Sequence, residues 1–369
     1  MFELMLAEGS ALDAVKDFIN TICQPAPFLL ISCVGLAVFL LGYRTLTKPM
    51  VAGPIGLAAL VFFIASCFDP NFFKIVTKAD NVPIVMMMLL VGYLVWLAFR
   101  QAAINDERIE EGQPLLEAGS DQKVLVWPDL VYTELICLVL LTAGLVVWAI
   151  LLRAPLEQPA DPNVAPNPAK APWYFLGLQE MLVYYDPWLA GVVFPGLIIV
   201  GLIAIPYIDK NPMGNGYYTF AQRPFAITMF MIGFVILWVV LIIFGTFLRG
   251  PNWNFFGPYE YWDHHRPAAL LNTEFHDLFW VGLMGQPLPE HFLVRELPGI
   301  VLVLGYFILG PVVMYALFFR KMYQQIGFIR FSLLAFLILM MLAMPIKMVL
   351  RWTLNLHYIV GITEWFLNI

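Results

Sequence analysis

The apolar residues of this chain gather in eight blocks, each close to the roughly 20 residues that a helix needs to cross a hydrocarbon layer about 30 Å thick. In hydrocarbon every backbone amide must be satisfied within its own segment or a closed barrel, so blocks of this length dictate helices. The pattern predicts spans at about 28–46, 51–68, 82–99, 130–152, 188–208, 225–248, 298–319 and 328–350. Composition agrees: 61% of residues are hydrophobic and 12% charged, against about 45–50% and about 25% in soluble domains. Mean hydropathy is +0.80. An ordinary globular enzyme and a disordered chain are both excluded, and the fold class is an all-α, polytopic integral membrane protein. A net charge of −6 gives no footprint for nucleic acid.

The first 25 residues are not expected to be a secretory signal, because Glu3 and Glu8 occupy the basic n-region and no long apolar stretch follows. Leu4, Leu12, Val15, Phe18, Ile19 and Ile22 fall mostly on one helical face, with Asp13, Lys16, Asp17 and Asn20 opposite. That is an interfacial helix by pattern. An even span count puts both termini on one side. Basic residues, among them Arg44, Lys48, Arg100, Arg223, Arg320 and Arg330, are densest in the short connections after spans one, three, five and seven. These connections are therefore expected to be cytoplasmic, and both termini outside a bacterial cytoplasmic (inner) membrane. Three divisions follow: 1–126, an interfacial helix and three spans; 127–250, a core of three; 251–369, an aromatic loop and two more.

Four cysteines stand singly, without a CxxC or CxxCH, so covalent c-type haem attachment and cysteine-ligated clusters are not expected. None of the five histidines, His264, His265, His276, His291 and His357, lies mid-span, and no b-haem is expected between spans of this chain. Their spacings fit no metal motif, so no metal site is expected. Lys347, Arg351 and His357 are expected to snorkel toward water or lipid phosphate. Gly144, Gly191, Gly196 and Gly201 are expected to allow close helix approach.

Two long loops lie on the proposed outer side. Residues 249–297 hold an aromatic stretch around Trp253–Trp262, expected to be a docking surface or an interface belt. Residues 153–187 run through Pro155, Pro159, Ala160, Asp161 and Pro162 to Pro172-Trp173-Tyr174-Phe175-Leu176, then Glu180. Flat aromatic walls beside a carboxylate suit a quinone ring, whose oxidation releases protons. An aromatic belt at the membrane surface has the same composition.

The run Trp127-Pro128-Asp129-Leu130-Val131-Tyr132 is followed by Pro159-Ala160-Asp161-Pro162 and Pro172-Trp173-Tyr174-Phe175. Then come Pro206-Tyr207-Ile208-Asp209 and Arg223-Pro224-Phe225-Ala226. In order, spacing and span count this set resembles subunit IV of cytochrome bf complexes and the C-terminal half of cytochrome b, over roughly 127–250. The flanking spans resemble nothing named. The resemblance implies a haem-free subunit, inactive alone, in a quinol-oxidising cytochrome bc-type complex. It implies partners too: a cytochrome b subunit holding the b-haems, a Rieske iron–sulfur protein and a c-type cytochrome, with quinol as substrate and lipid around it.

The family motif reads Pro-Glu-Trp-Tyr, its glutamate accepting the quinol proton. Pro172 stands in that place. Glu180 is the nearest substitute, with Asp161 and Asp186 as further candidates. By the same resemblance Asp129, Tyr132 and Glu134 mark a possible inner-side quinone site, ionisable groups at a span's edge being functional candidates. The competing expectation is a non-catalytic structural anchor of a respiratory or photosynthetic complex, as Pro172 would allow. A transporter is disfavoured, since no embedded charge pair or broken-helix pair is visible.

Overall fold

A computed structural model describes residues 2–119, 123–152, 159, 161–268, 271–362 and 365–368, with side chains described between residues 11 and 360. Pro155, Ala160 and the side chain of Leu4 lie outside the described residues. Helix α1 (Phe2–Ile22) precedes α2 (Pro25–Leu46), α3 (Pro49–Ser66), the short α4 (Pro70–Val76) and α5 (Val82–Glu110). Then follow α6 (Val126–Leu151), the short α7 (Trp173–Met181), α8 (Leu189–Ile208), α9 (Pro224–Leu248), α10 (Phe292–Ile326) and α11 (Phe328–Leu354). Eight of these eleven are long and apolar enough to cross a membrane. Proline opens α2, α3, α4 and α9, where its fixed φ suits the first turn and its missing N–H costs nothing. Asp69 caps α4 by accepting from Asn71 N at 2.9 Å and Phe72 N at 3.1 Å.

The spans stand where hydropathy puts them, with two extensions. Helix α5 continues to Glu110 rather than ending near 99, because its polar last turns are used in packing. Asp106, 1% exposed, accepts from Tyr43 Oη (2.8 Å), Thr219 Oγ1, Phe220 N (3.1 Å) and Ala221 N (3.1 Å). Asn105 donates to the Tyr218 carbonyl at 2.8 Å. One carboxylate thus ties α2, α5 and the 209–223 loop together. Helix α10 begins at Phe292 and runs to Ile326, longer than the expected 298–319.

These contacts define one end of the bundle. The opposite end gathers α1, the 67–81 connection, the loops 161–187 and 249–291, and residue 355 onward. Lys16 pairs with Asp69 at 2.7 Å, Asn20 accepts from Tyr259 N at 3.0 Å, and Asn167 bonds Asn252 at 2.8 Å. There too the two-residue strands β1 (Thr273–Glu274) and β2 (Leu356–His357) pair in parallel. Strands β3 (Ile359–Ile362) and β4 (Trp365–Asn368) form an antiparallel hairpin. No strand is expected from the sequence, and backbone bonds beyond the spans account for these. Helix α1 and residues 355–362 therefore share an end, as an even span count requires.

The main core is built on α9. Ile236, Val240, Leu241, Phe244 and Leu248 pack with Leu29 of α2, Met181 of α7, Phe194 of α8, and Met344 and Met348 of α11. Helix α6 is the exception: none of its residues is buried. A Cβ added at Gly144, Gly191 or Gly196 would meet nothing of the described chain within 4 Å, and one at Gly201 only Leu337. Within the chain, tight approaches to helix glycines fall at Gly245, Gly299 and Gly310.

Single cysteines at Asn163 and Asn215, on an otherwise cysteine-free chain, test this two-ended arrangement. Impermeant thiol reagents in oriented vesicles should label them from opposite faces. Labelling from one face rejects it.

Candidate functional site

Helix α7 is short, so its position depends on what it touches. Pro172 precedes it in extended geometry, φ −53° and ψ 148°. The Gln179 side chain folds the preceding loop onto the helix, accepting from Ala171 N at 2.8 Å and donating to the Ala169 carbonyl at 2.8 Å. Its inner face, Leu176 and Gly177, lies on α9. A Cβ added at Gly245 would stand 3.1 Å from the Leu176 carbonyl oxygen, so any larger residue would have to move α7 away by a few tenths of an ångström. The outer face is aromatic and open: Tyr174 is 48% and Phe175 51% exposed, their ring centroids 4.7 Å apart. Trp173, half-buried, meets Tyr174 edge-on at 5.7 Å.

Behind that face lies the ion pair that holds it. Glu180, fully buried, accepts from Arg249 Nη2 at 2.6 Å and Nε at 3.0 Å, a two-pronged pairing. Its oxygens also accept from Tyr184 Oη at 3.1 Å and Trp253 Nε1 at 3.2 Å. Arg249 is 6% exposed, with its guanidinium 3.7 Å from the centre of the Phe255 ring and Nη1 donating to the Trp253 carbonyl. Tyr184 accepts from Trp352 Nε1 at 3.1 Å, which brings α11 into the network. Burial, with the Glu180 charge beside it, holds the Tyr184 phenol well above its ordinary range, so it serves as a donor.

The expected proton acceptors are thus placed as follows. Pro172 is exposed and Glu180 is enclosed by four donors. Asp161 accepts from Asn163 N and Asp186 from Trp188 N, each at 2.9 Å, which makes both turn-forming carboxylates. Asp129, Tyr132 and Glu134, at the start of α6, are all exposed. Among the described residues no group of three or more His, Cys, Asp or Glu side chains is arranged to hold a metal ion. His264, His265 and His291 are exposed, while His357 Nδ1 lies 3.2 Å from Glu274 and His276 Nδ1 3.7 Å from Glu296. Lys347 does not snorkel: it is 8% exposed, its ammonium 5.5 Å from the centre of the Tyr185 ring. Arg351 turns back to the Asn355 carbonyl at 3.1 Å.

Sequence reasoning missed Arg249, Tyr184, Trp253 and Lys170. The signal for Arg249 was present, since a lone arginine closing an apolar span needs a counter-charge. The two partners stand 69 residues apart, beyond any local motif.

Residues 159–258 match the family model described as cytochrome b (C-terminal)/b6/petD. The match takes in α7, α8, α9 and the start of the aromatic loop, about a quarter of the chain, and stops short of α6. No solved structure matches the chain. The eight apolar helices and this match support a multi-pass membrane component of a cytochrome bc/b6f-type complex.

Removing one partner of a buried pair leaves an uncompensated charge, which costs about 3–5 kcal/mol. Glu180→Gln and Arg249→Met should each lower the thermal midpoint in detergent. The double change Glu180→Met plus Arg249→Leu should lower it less than either. Equal and additive losses refute the pairing. Gly245→Val should cost a further ~1–3 kcal/mol by pushing α7 off α9.

Proposed function

We propose that the chain is a haem-free membrane subunit of a quinol-oxidising cytochrome bc-type complex, in which α7 forms one wall of an outer-side quinol site. The observation that carries this reading is the open aromatic face of Tyr174 and Phe175, on a helix fixed from behind by Glu180–Arg249, inside the segment that matches the family. A flat quinone ring gains from stacking and from rigid placement, and neither requires a redox centre in this chain. The chemistry of electron transfer belongs to the cofactors of partner subunits: a b-haem cytochrome, a Rieske iron–sulfur protein and a c-type cytochrome. The absence of histidine from every span supports placing the b-haems elsewhere.

On this reading the end that carries the termini faces outward. Pro172 to Leu176 line the site, and Glu180 fixes the wall. As proton acceptor, Glu180 would have to give up four hydrogen bonds and release a buried guanidinium. Asp129, Tyr132 and Glu134 belong to an inner-side site that a neighbouring subunit completes. The enclosure of Glu180, together with Pro172, also favours a second reading, a structural anchor that retains the fold without the site.

Equilibrium binding of a short-chain quinone to the assembled complex separates the two. The double change Tyr174→Ala plus Phe175→Ala should weaken binding and raise the quinol KM on the order of 10-fold, since aromatic contacts contribute about 0.5–1.5 kcal/mol each beyond area. Assembly should be preserved, because both rings already face outward. Unchanged binding assigns the anchor reading.

A further inference from the structure

With Pro172 unable to accept a proton and Glu180 enclosed, the proposed quinol site lacks a base among its carboxylates. A cluster two residues before Pro172 supplies one. Lys170 Nζ, partly buried, donates to the Thr246 carbonyl at 2.9 Å and lies 4.9 Å from the centre of the Trp262 ring. Two buried polar atoms beside it have no partner: Thr246 Oγ1, on a residue 2% exposed, and Trp262 Nε1. Buried polar groups are rarely left without a partner. A hydroxyl and an indole N–H without partners, carried by the two residues that hold the amine, are the groups that would take a ligand oxygen. The Gln179 bridge to Ala169 and Ala171 fixes this segment against α7.

We propose that Lys170 is the proton acceptor of the quinol site, with Thr246 Oγ1 and Trp262 Nε1 orienting the quinol oxygen; this rests on the quinol reading above. The quinol O–H bond breaks and an N–H bond forms on Nζ, so that the neutral amine becomes an ammonium. One electron goes to an oxidised iron–sulfur or haem centre of a partner subunit, leaving the semiquinone. Its remaining electron goes to a second such centre and its remaining proton to the amine once that has released the first, giving the quinone. Because the side chain is only partly buried, the proton then leaves to water at the same end.

The charges around the amine suit this exchange. Burial brings Lys170 down from its ordinary range to about 7, Lys78 from the α4–α5 connection and Arg249 after α9 push the same way, and Glu180 of α7 opposes them. A lysine tuned near neutrality alternates between base and acid at working pH. The neutral amine, the accepting form, predominates as pH rises above about 7.

The test uses the complete complex, pre-oxidised and mixed with decylubiquinol or menadiol, with quinone formation followed optically over a single turnover. The wild-type rate should rise between about pH 6 and pH 8. Lys170→Arg keeps a charge and a donor but does not deprotonate, so it should be at least ~10-fold slower and lose that pH step, with quinone affinity retained. Thr246→Val should weaken quinone binding several-fold. An unliganded buried hydroxyl would instead make that change neutral or stabilising. A Lys170→Arg complex with the wild-type rate and profile overturns Lys170 while leaving the quinol site standing. A wild-type complex that oxidises no quinol overturns both. If Lys170→Arg fails to assemble, a wild-type rate that is flat from about pH 6 to pH 8 overturns the lysine on its own.

Discussion

The Glu180–Arg249 pair is the constraint on which the terminal end of the bundle depends. Two opposite charges removed from water attract strongly at 2.6 Å, but each also carries a desolvation cost of several kcal/mol. The pair stands because each carboxylate oxygen accepts two hydrogen bonds and each guanidinium nitrogen donates one. Tyr184 and Trp253 complete the carboxylate, and the Trp253 carbonyl and the Phe255 ring complete the guanidinium. Its contribution is one of geometry more than stability. Helix α7 has nine residues and too few turns to hold itself in place. Fixed through Glu180 to Arg249 and through the Gln179 side chain to the 169–171 segment before its start, it presents its rings in one orientation, which is what a flat ligand requires.

A second polar hub holds the far end of the same helix bundle. Asp106 gathers donors from α2 and from the 209–223 loop, as Glu180 gathers them from the loop after α9 and the 182–188 segment. Between the hubs the core is apolar. Lipid is as apolar as leucine, so helices there associate through close packing rather than through escape from solvent. Polar hubs confined to the two ends therefore set the register of α9 against its neighbours, and the apolar middle fills the space that this register leaves.

What was legible in the sequence follows the same division. Hydrocarbon thickness is a local constraint, so eight spans can be read from runs of residues alone. The extension of α5 to Glu110 cannot, because it rests on Asp106 meeting Thr219 and Phe220 more than a hundred positions away. Glu180 stood out as the lone carboxylate beyond the aromatic run, and its importance was visible. Its partner was not, since nothing local links position 180 to 249. Lys170 was hidden differently: a lysine in a proline-rich loop reads as solvated until Thr246 and Trp262 are seen beside it. The snorkelling expected of Lys347 fails for a related reason, as Tyr185 from another segment covers it.

Helix α6 carries the argument beyond the single chain. It carries no charge after Glu134, none of its residues is buried, and it lies outside the matched segment. Ligand sites are concave and enclose most of a bound molecule. One exposed helix edge bearing Asp129, Tyr132 and Glu134 supplies a single side of such a site. The same holds at the other end, where Tyr174 and Phe175 face away from every helix that supports them. In the reading proposed above both faces are half-sites. The rigid network behind α7 then has a physical purpose: a wall completed by another subunit must already stand in the correct place before that subunit arrives, because neither lipid nor ligand can order it afterwards without loss of affinity.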